Sequence, residues 1–145
     1  MSFSGPLDDR LAIRELLDAY AEAVTLSDAA AWGALWADDG EWALPAETGL
    51  GTIRGREAIV AVWIEAMTQF PGVLFQAWPG SIAVNGNHAM MRSYTAESFI
   101  QDGYLIDQRG RYDDLCLKLG GAWVFQRRAF RVLRSNRIVV ATVPT

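Results

Sequence analysis

The side chains that could do chemistry in this chain are few, and two of the most reactive types occur only once. The chain has one histidine, His88, and one cysteine, Cys116. His88 follows an Asn85-Gly86-Asn87 turn, where a histidine is most often a solvated surface residue. Cys116 has no histidine partner in the pattern and is expected to be a small packed side chain. Neither residue therefore predicts a nucleophile activated by a base.

Acidic residues form two short clusters, Asp38-Asp39 with Glu41, and Asp113-Asp114. Adjacent carboxylates at the end of an element are usually solvated, and no histidine or cysteine supports a metal site at the first cluster. The second cluster is interpreted in the same way. Gly49-Leu50-Gly51 lacks the following helix and the spacing of a phosphate-binding loop. We therefore expect neither a metal nor a cofactor.

Glu97 is the carboxylate of greatest interest because of its neighbours along the chain. Thr95, Glu97 and Phe99 alternate in a predicted strand, so they share one face of it. If that face is apolar and buried, desolvation raises the pKa of Glu97 toward the range of a useful general base or acid. An ion pair with Arg128 or Arg92 would depress the pKa instead, and both interpretations stay open.

Three helices in the first half of the chain are predicted to position these residues. The first begins with Asp8 as N-cap and buries one stripe at helical spacing; the stripe contains Ile13, Leu16, Leu17, Tyr20 and Val24. Ser27 or Asp28 can cap a second helix, which carries Trp32, Leu35 and Trp36 and stops at Asp38-Asp39-Gly40. The third follows Gly55 and ends at Pro71-Gly72. The stretch from Tyr20 to Trp42 is expected to cover the mouth of a curved sheet.

Strands dominate the rest of the chain. Short strands are predicted at 41–44 and 52–54, and long ones at 74–84, 89–100, 108–119 and 123–133, with Ser135-Asn136-Arg137 breaking the last. Asn85-Gly86-Asn87 predicts a type I′ hairpin turn, and Gln101-Asp102-Gly103 and Gly120-Gly121 mark two further turns. Helices followed by a long antiparallel meander indicate an α+β fold. We expect a single domain over residues 1–145.

The composition excludes several classes of protein. The 145 residues carry a formal net charge of −4, which argues against nucleic acid or an anionic membrane as the main partner. One cysteine cannot form an internal disulfide and indicates a reducing compartment. The N-terminal residues do not form a signal-peptide pattern, and no apolar run is long enough to span a bilayer. We expect a cytoplasmic protein.

Several motifs in order along the chain resemble the SnoaL-like branch of the nuclear-transport-factor-2-like superfamily. They are Ile13-Arg14-Glu15-Leu16-Leu17 with Tyr20, the run from Trp36 to Trp42, the run from Gly51 to Ile59, Gly110-Arg111-Tyr112-Asp113, Gly121-Ala122-Trp123 and Arg128. The resemblance implies a cone-shaped α+β barrel with a curved, mostly antiparallel sheet and about three helices over its concave face. It implies a small apolar or aromatic ligand inside the cone, usually without cofactor or metal, and a homodimer or homotrimer.

The scytalone dehydratase and hexachlorocyclohexane dehydrochlorinase group is the branch that the chain resembles most. Those enzymes use an Asp–His pair, and the motif spacing lays its two positions onto Thr25 and Gln76. Threonine cannot stabilise an imidazolium as a carboxylate does, and glutamine cannot act as a titrating base. The standard pair of this branch is therefore absent.

The resemblance also places other residues at the cavity. Glu97, Tyr20, Arg128, Tyr112 and Gln76 are the predicted catalytic residues, with Glu97 taking the proton and the others holding an oxygen or leaving group. The predicted substrate-binding residues are Thr25, Trp42, Trp63, Phe70, Thr95 and Phe99. Large aromatic side chains more often belong to the core than to a ligand cage, but this many of them around one cavity would suit a planar ligand. They are Trp36, Trp42, Trp63, Trp78 and Phe70.

Three functions follow from this pattern. The first is a cofactor-independent lyase or isomerase, dehydratase-like, that removes a proton from a small aromatic or alicyclic molecule. The second is a non-catalytic domain for small-ligand binding or assembly that lacks the Asp–His pair. The third is a protein like the small subunit of a ring-hydroxylating dioxygenase, which shares the fold.

Overall fold

The computed structural model describes residues 2–139, which contain three α-helices and seven β-strands. The helices are α1 (Leu7–Leu26), α2 (Ala29–Gly33) and α3 (Arg56–Met67). The strands are β1 (Phe3–Ser4), β2 (Trp36–Ala43), β3 (Thr52–Arg54), β4 (Leu74–Asn85), β5 (His88–Gln101), β6 (Tyr104–Leu119) and β7 (Ala122–Val139). A short 3₁₀ turn, Ala46–Thr48, lies between β2 and β3. The predicted single domain over 1–145 extends beyond the described residues at both ends.

The strands form one sheet in the order β1-β4-β5-β6-β7-β2-β3. The β1–β4 and β2–β7 pairs are parallel, and the other four pairs are antiparallel. The curved sheet does not close on itself, because β1 and β3 are its two edges. The predicted fold, an α+β architecture with three helices over a mostly antiparallel sheet, is confirmed.

The core lies between the helices and the concave face of the sheet. Ile13 and Leu17 of α1 and Ile59 of α3 are completely buried there. Trp32 of α2 stacks on Trp63 of α3, with ring centroids 4.6 Å apart and planes 10° apart. Each fully buried side chain of this size contributes about 1.5–3 kcal/mol of burial free energy. The helices are therefore held to the sheet mainly by a shared aromatic and aliphatic interior.

The helix ends differ in part from the predicted ones. Pro6, not Asp8, is the N-cap of α1, and no side chain caps that end; Asp8 lies in the first turn, where its charge faces the positive end of the helix dipole. Asp28 caps α2 as predicted, since its Oδ1 accepts from the Ala31 N–H at 3.0 Å. The third helix ends at Met67, before Pro71, and the Thr68 hydroxyl donates to the Glu65 carbonyl.

Trp36 belongs to a strand, so the predicted extent of the second helix is wrong. The helix ends at Gly33, and β2 begins at Trp36 and runs through Asp38-Asp39-Gly40. The reason is tertiary: the Phe125 N–H donates to the Leu35 carbonyl at 2.8 Å, and Trp36 pairs in register with Phe125 of β7. The pairing of Trp36 with β7 therefore determines its conformation, although the spacing of the apolar residues favours a helix.

The three long hairpins form at the predicted turns. Asp102-Gly103 and Gly120-Gly121 both have positive φ at their two central residues, as a type I′ turn requires. In the first hairpin only Gly86 of the central pair Gly86-Asn87 has positive φ, so the predicted type I′ turn there is wrong. The predicted break at 135–137 is also wrong, because β7 keeps pairing with β6 as far as Val139.

Candidate functional site

A cavity of about 710 Å³ opens between the concave face of the sheet and the helices. The helices contribute Tyr20 and Val24 from α1 and Trp63 and Phe70 from α3. The sheet contributes Phe75 of β4, Glu97 of β5, Gln108 and Tyr112 of β6, and Phe130, Val132 and Ser135 of β7. Most of the wall is apolar. The volume of the cavity is in the range found for cavities that enclose a small organic molecule.

The mouth segment, residues 44–50 between β2 and β3, also lines the cavity. Leu44, Pro45, Glu47, Thr48 and Leu50 reach the cavity from this segment. The Thr48 hydroxyl donates to the Pro45 carbonyl at 2.7 Å, which closes the 3₁₀ turn onto itself. This side of the opening is therefore formed by a short, locally hydrogen-bonded connection, whereas the opposite side is formed by strands.

Three polar groups meet at the buried end of the cavity, and we call them the tyrosine end: the hydroxyls of Tyr20 and Tyr112 and the indole of Trp42. The two hydroxyl oxygens are 3.4 Å apart, and Trp42 Nε1 donates to the Tyr112 hydroxyl at 3.3 Å. All three side chains are buried. Burial raises the pKa of Tyr20 and raises that of Tyr112 well above its usual value. Both hydroxyls therefore stay protonated at neutral pH and can donate hydrogen bonds.

Behind the tyrosine end lies a fully buried ion pair, Arg128 with Asp114. Arg128 Nε donates to Asp114 Oδ1 at 2.7 Å, and its Nη2 contacts Asp114 Oδ2 at 3.3 Å and Ser93 Oγ at 3.0 Å. The Ser93 hydroxyl in turn donates to Asp114 Oδ2 at 2.9 Å. Such bidentate geometry is the strong form of an arginine–carboxylate contact. The charge of Arg128 is thus neutralised inside the protein and not at the cavity surface.

The Arg128 guanidinium also packs on aromatic rings. Its central carbon lies 3.7 Å from the ring centroid of Tyr112 and 4.3 Å from those of Tyr20 and Phe125. A cation this close to a ring face is attracted by its quadrupole. Burial lowers the pKa of Arg128, but the Asp114 carboxylate and the two tyrosines together outweigh this effect, so the net pKa is raised. The positive charge is permanent and opposes the rise in pKa of both tyrosines.

Glu97 reaches the cavity at a second polar position, beside Gln108. Gln108 Nε2 donates to Glu97 Oε1 at 2.7 Å, across the β5–β6 pair in which the two residues are partners. Burial raises the pKa of Glu97 above its usual 4.5, and the hydrogen bond from Gln108 opposes that rise. A carboxylate with a raised pKa in an apolar cavity can exchange a proton with a ligand.

The tyrosine end and Glu97 reach different parts of the cavity. Gln108, the partner of Glu97, precedes Tyr112 by four residues on β6, which is about 13 Å along an extended strand. Gly110 lies between them, and the Phe130 ring covers it so closely that an added Cβ would clash with the ring. A ligand that touches both polar positions must therefore be elongated and lie along β6.

Six of the eleven residues predicted for the site line the cavity: Glu97, Tyr20, Tyr112, Trp42, Trp63 and Phe70. Thr25 does not line it. Its Oγ1 accepts from the Phe75 N–H at 3.1 Å and donates to the Phe75 carbonyl at 3.3 Å, so its hydroxyl fastens α1 to β4. The expected contact of Thr25 with substrate is corrected on this ground.

Gln76 is the second correction, because it faces the opposite side of the sheet. Phe75 is the cavity-lining residue at this point of β4, and adjacent residues of a strand point to opposite faces. Gln76 is exposed and borders a small hollow on the other face together with Ala96 and Arg109. Gln76 therefore cannot contact a ligand in the cavity, and the side chain that lines the cavity at this point is Phe75.

Further expectations are corrected by how buried or exposed the residues are. Thr95 and Phe99 share the inward face with Glu97 but lie in the core behind the cavity wall, where Phe99 packs edge-on against Phe70. Arg128 pairs with Asp114, not with Glu97, and does not reach the cavity. Asp114 was interpreted as solvated, yet it is only 3% exposed. Trp78, expected in the core, is 46% exposed and stacks on Tyr94.

Two groups of the site were not predicted. Gln108 could have been found, because a two-residue turn at Asp102-Gly103 fixes the pairing of Glu97 with Gln108. The indole of Trp42 as a donor to Tyr112 had no signal in the sequence, since it depends on how the curved sheet brings together side chains of β2 and β6, the two strands on either side of β7.

Comparison with known families decides the affiliation of the chain. A family model described as a SnoaL-like domain matches residues 5–129. The chain belongs to the SnoaL-like domain family. The match covers α1 through β6 and the first part of β7, so it includes every residue of the tyrosine end and Glu97. The resemblance drawn from the sequence motifs is confirmed.

Solved structures similar to this SnoaL-like domain share its fold over nearly the whole chain. One is a Novosphingobium aromaticivorans protein provisionally assigned as a scytalone dehydratase: TM-score 0.80, 20% identity, covering 95% of this chain and 97% of that one. Another is a type 2 hexachlorocyclohexane dehydrochlorinase, LinA: TM-score 0.78, 16% identity, covering 95% of each chain. A third is an NTF2-like protein with a cystatin-like fold from N. aromaticivorans: TM-score 0.74, 28% identity, covering 88% and 83%.

Among curated protein sequences, none matches this SnoaL-like domain. Within residues 2–139, none of the helices combines the length and apolar character needed to cross a membrane. The site itself therefore carries the functional argument.

Proposed function

We propose that this SnoaL-like domain is a cofactor-independent lyase or isomerase that removes a proton from a small aromatic or alicyclic molecule held in the cavity. The observation that carries the proposal is Glu97, a largely buried carboxylate whose pKa burial raises, on the wall of an apolar cavity. Two relatives in fold have names that denote eliminations, a dehydratase and a dehydrochlorinase.

Each polar group has a role in this proposal. Ionised Glu97 takes a proton from a carbon of the ligand, and Gln108 holds the carboxylate in place through its 2.7 Å hydrogen bond. The negative charge that develops is delocalised to an oxygen of the ligand, which accepts a hydrogen bond from the tyrosine end. Glu97 can then return the proton to another carbon, giving an isomerase, or a leaving group can depart, giving a lyase.

Ligand binding without turnover is the second candidate, and one observation favours it. Motif spacing lays the aspartate position of the resembling enzymes onto Thr25, and in the structure the Thr25 hydroxyl is occupied by the backbone of Phe75. Phe75, an apolar side chain, faces the cavity beside it. A domain that keeps the cavity but lacks this pair could bind a ligand and release it unchanged.

Exchange of carbon-bound hydrogen in D₂O separates the two candidates. The protein is incubated with a panel of alicyclic enones, epoxides and aromatic alcohols, and deuterium uptake and product formation are followed by mass spectrometry. Glu97→Gln is compared with Glu47→Gln, which changes the other carboxylate that lines the cavity. We expect Glu97→Gln to lose at least about 100-fold in exchange rate, the usual contribution of a positioned general base, and Glu47→Gln to retain most of it. Exchange that survives Glu97→Gln removes Glu97 from the mechanism.

A further inference from the structure

The charges around the cavity are of one sign. Two carboxylates, Glu47 and Glu97, line it, and none of the lining side chains within residues 2–139 is lysine, arginine or histidine. Arg128 lies behind the tyrosine rings, where Asp114 already neutralises it. An anionic ligand would give up its hydration in an apolar cavity, without a cationic partner and beside two like charges.

The hydrogen bonds of the tyrosine end leave one proton free. One hydroxyl of the Tyr20–Tyr112 pair donates to the other, so the pair uses one of its two protons internally. The Tyr112 oxygen also accepts from Trp42 Nε1. The second hydroxyl proton has no acceptor among the described side chains and can be donated to a ligand. When Tyr20 donates to Tyr112, the Tyr112 oxygen accepts twice, which polarises its own proton and strengthens the bond that it donates.

Apolar surfaces surround this single donor. Trp63 and Phe75 line the cavity from α3 and β4, and Phe130 lines it from β7. A flat apolar ring system can cover these side chains, and a cavity of about 710 Å³ has room for two or three fused rings. A second strong acceptor on the ligand would find no donor at the tyrosine end, because the free proton is already used.

We propose that the cavity selects a neutral, apolar molecule of two or three rings with one acceptor oxygen, bound with that oxygen against the tyrosine end, and that it rejects carboxylates. The selection names the substrate class for the proposed function and rests on it, since the same cavity and the same donor are involved. The oxygen is a carbonyl or hydroxyl, and the carbon that faces Glu97 lies at the far end of the ring system.

Three naphthalenes of similar size test the selection in the wild-type protein. They are 2-acetylnaphthalene, a neutral ketone; 2-ethylnaphthalene, which has no acceptor; and 2-naphthoate, an anion at pH 7.5. Dissociation constants are measured by equilibrium dialysis. We expect the ketone to bind about five- to tenfold more tightly than 2-ethylnaphthalene, the value of one neutral hydrogen bond, and at least about tenfold more tightly than 2-naphthoate.

Two variants test the origin of each preference, and each is read as a ratio of two ligands on the same protein. In Tyr20→Phe/Tyr112→Phe the ketone's advantage over 2-ethylnaphthalene should fall below about twofold. In Glu47→Gln/Glu97→Gln the ketone's advantage over 2-naphthoate should fall at least about fivefold. Because the three wild-type constants suffice to refute the proposal, a variant that fails to fold does not protect it.

Naphthoate binding as tight as that of the ketone overturns the selection, as does a ketone that binds no better than 2-ethylnaphthalene. Failure of the proposed function has a different result. If the ketone is selected but no panel compound exchanges deuterium, catalysis is refuted and the selection stands. If exchange occurs and naphthoate binds as well as the ketone, the selection is refuted and catalysis stands.

Discussion

Replacing Asp114 by asparagine tests whether the buried ion pair behind the tyrosine end stabilises the domain. The substitution keeps the shape of the side chain and removes its charge. Arg128, which is 0% exposed, would then hold an uncompensated cation in the core, with one of its two carboxylate contacts replaced by an amide donor. Breaking a buried pair in this way costs about 3–5 kcal/mol. For a domain of this length the midpoint of thermal unfolding should fall by roughly 10 °C.

The neighbouring residue supplies a matched control. Asp113 is exposed and pairs with Arg92 and Arg111 at 3.6 and 3.0 Å on the surface. Asp113→Asn should therefore cost about 0–1 kcal/mol, the usual value for a solvated pair. Both variants carry the same change of formal charge, so their difference isolates burial.

Urea unfolding followed by tryptophan fluorescence measures both variants. The double variant Asp114→Leu/Arg128→Met removes both charges, and we expect it to regain most of the lost stability, since apolar residues often replace a buried pair without loss. An Asp114→Asn variant within 1 kcal/mol of Asp113→Asn would refute the reasoning. So would a double variant as unstable as Asp114→Asn alone.

Three further predictions concern the cavity wall and its support. Because the pKa of Glu97 is raised above 4.5, its contribution to stability is fully present below that pH and falls as the pH rises through the raised pKa. The urea midpoint of Glu97→Gln should therefore increase relative to that of wild type between pH 4 and pH 8. A difference that stays constant with pH would contradict this. Gly110→Ala should cost about 1–3 kcal/mol, because the new methyl meets the Phe130 ring; adding Phe130→Leu should recover part of the loss in thermal unfolding. Thr25→Val should cost about 1–2 kcal/mol through its two lost bonds to Phe75, whereas Thr25→Ser should cost less.

The sequence predicts most of the fold because local patterns determine it. The three hairpin turns and the alternation along the long strands fix where each strand lies and which face Glu97 shares with Thr95. The end of α2 could not be predicted in this way. Trp36 continues the helical spacing, and only its pairing with Phe125 of β7 shows that it belongs to a strand.

The buried ion pair is a part of the site that could not be predicted from the sequence. If the pairing continued regularly from the Leu119–Ala122 pair, Asp114 would lie opposite Arg127. A register shift between Leu115 and Cys116 places it opposite Arg128 instead. This bulge has no signature in the sequence, so the partner of Arg128 and the burial of Asp114 could not be derived. Motif spacing also does not fix the face of a strand, so the outward direction of Gln76 could not be derived from it.

The division of the cavity between sheet and mouth segment has a consequence for how its specificity can change. The groups that would handle charge lie on paired strands and on α1, and the ion pair that supports them does not line the cavity. Residues 44–50, by contrast, reach the cavity from a short connection held by its own hydrogen bonds. Mutations there can exchange one ligand shape for another while the proposed proton-handling groups, Glu97 and the tyrosine end, stay intact. A library confined to this segment is therefore the most direct way to seek variants of this domain that bind new ligands.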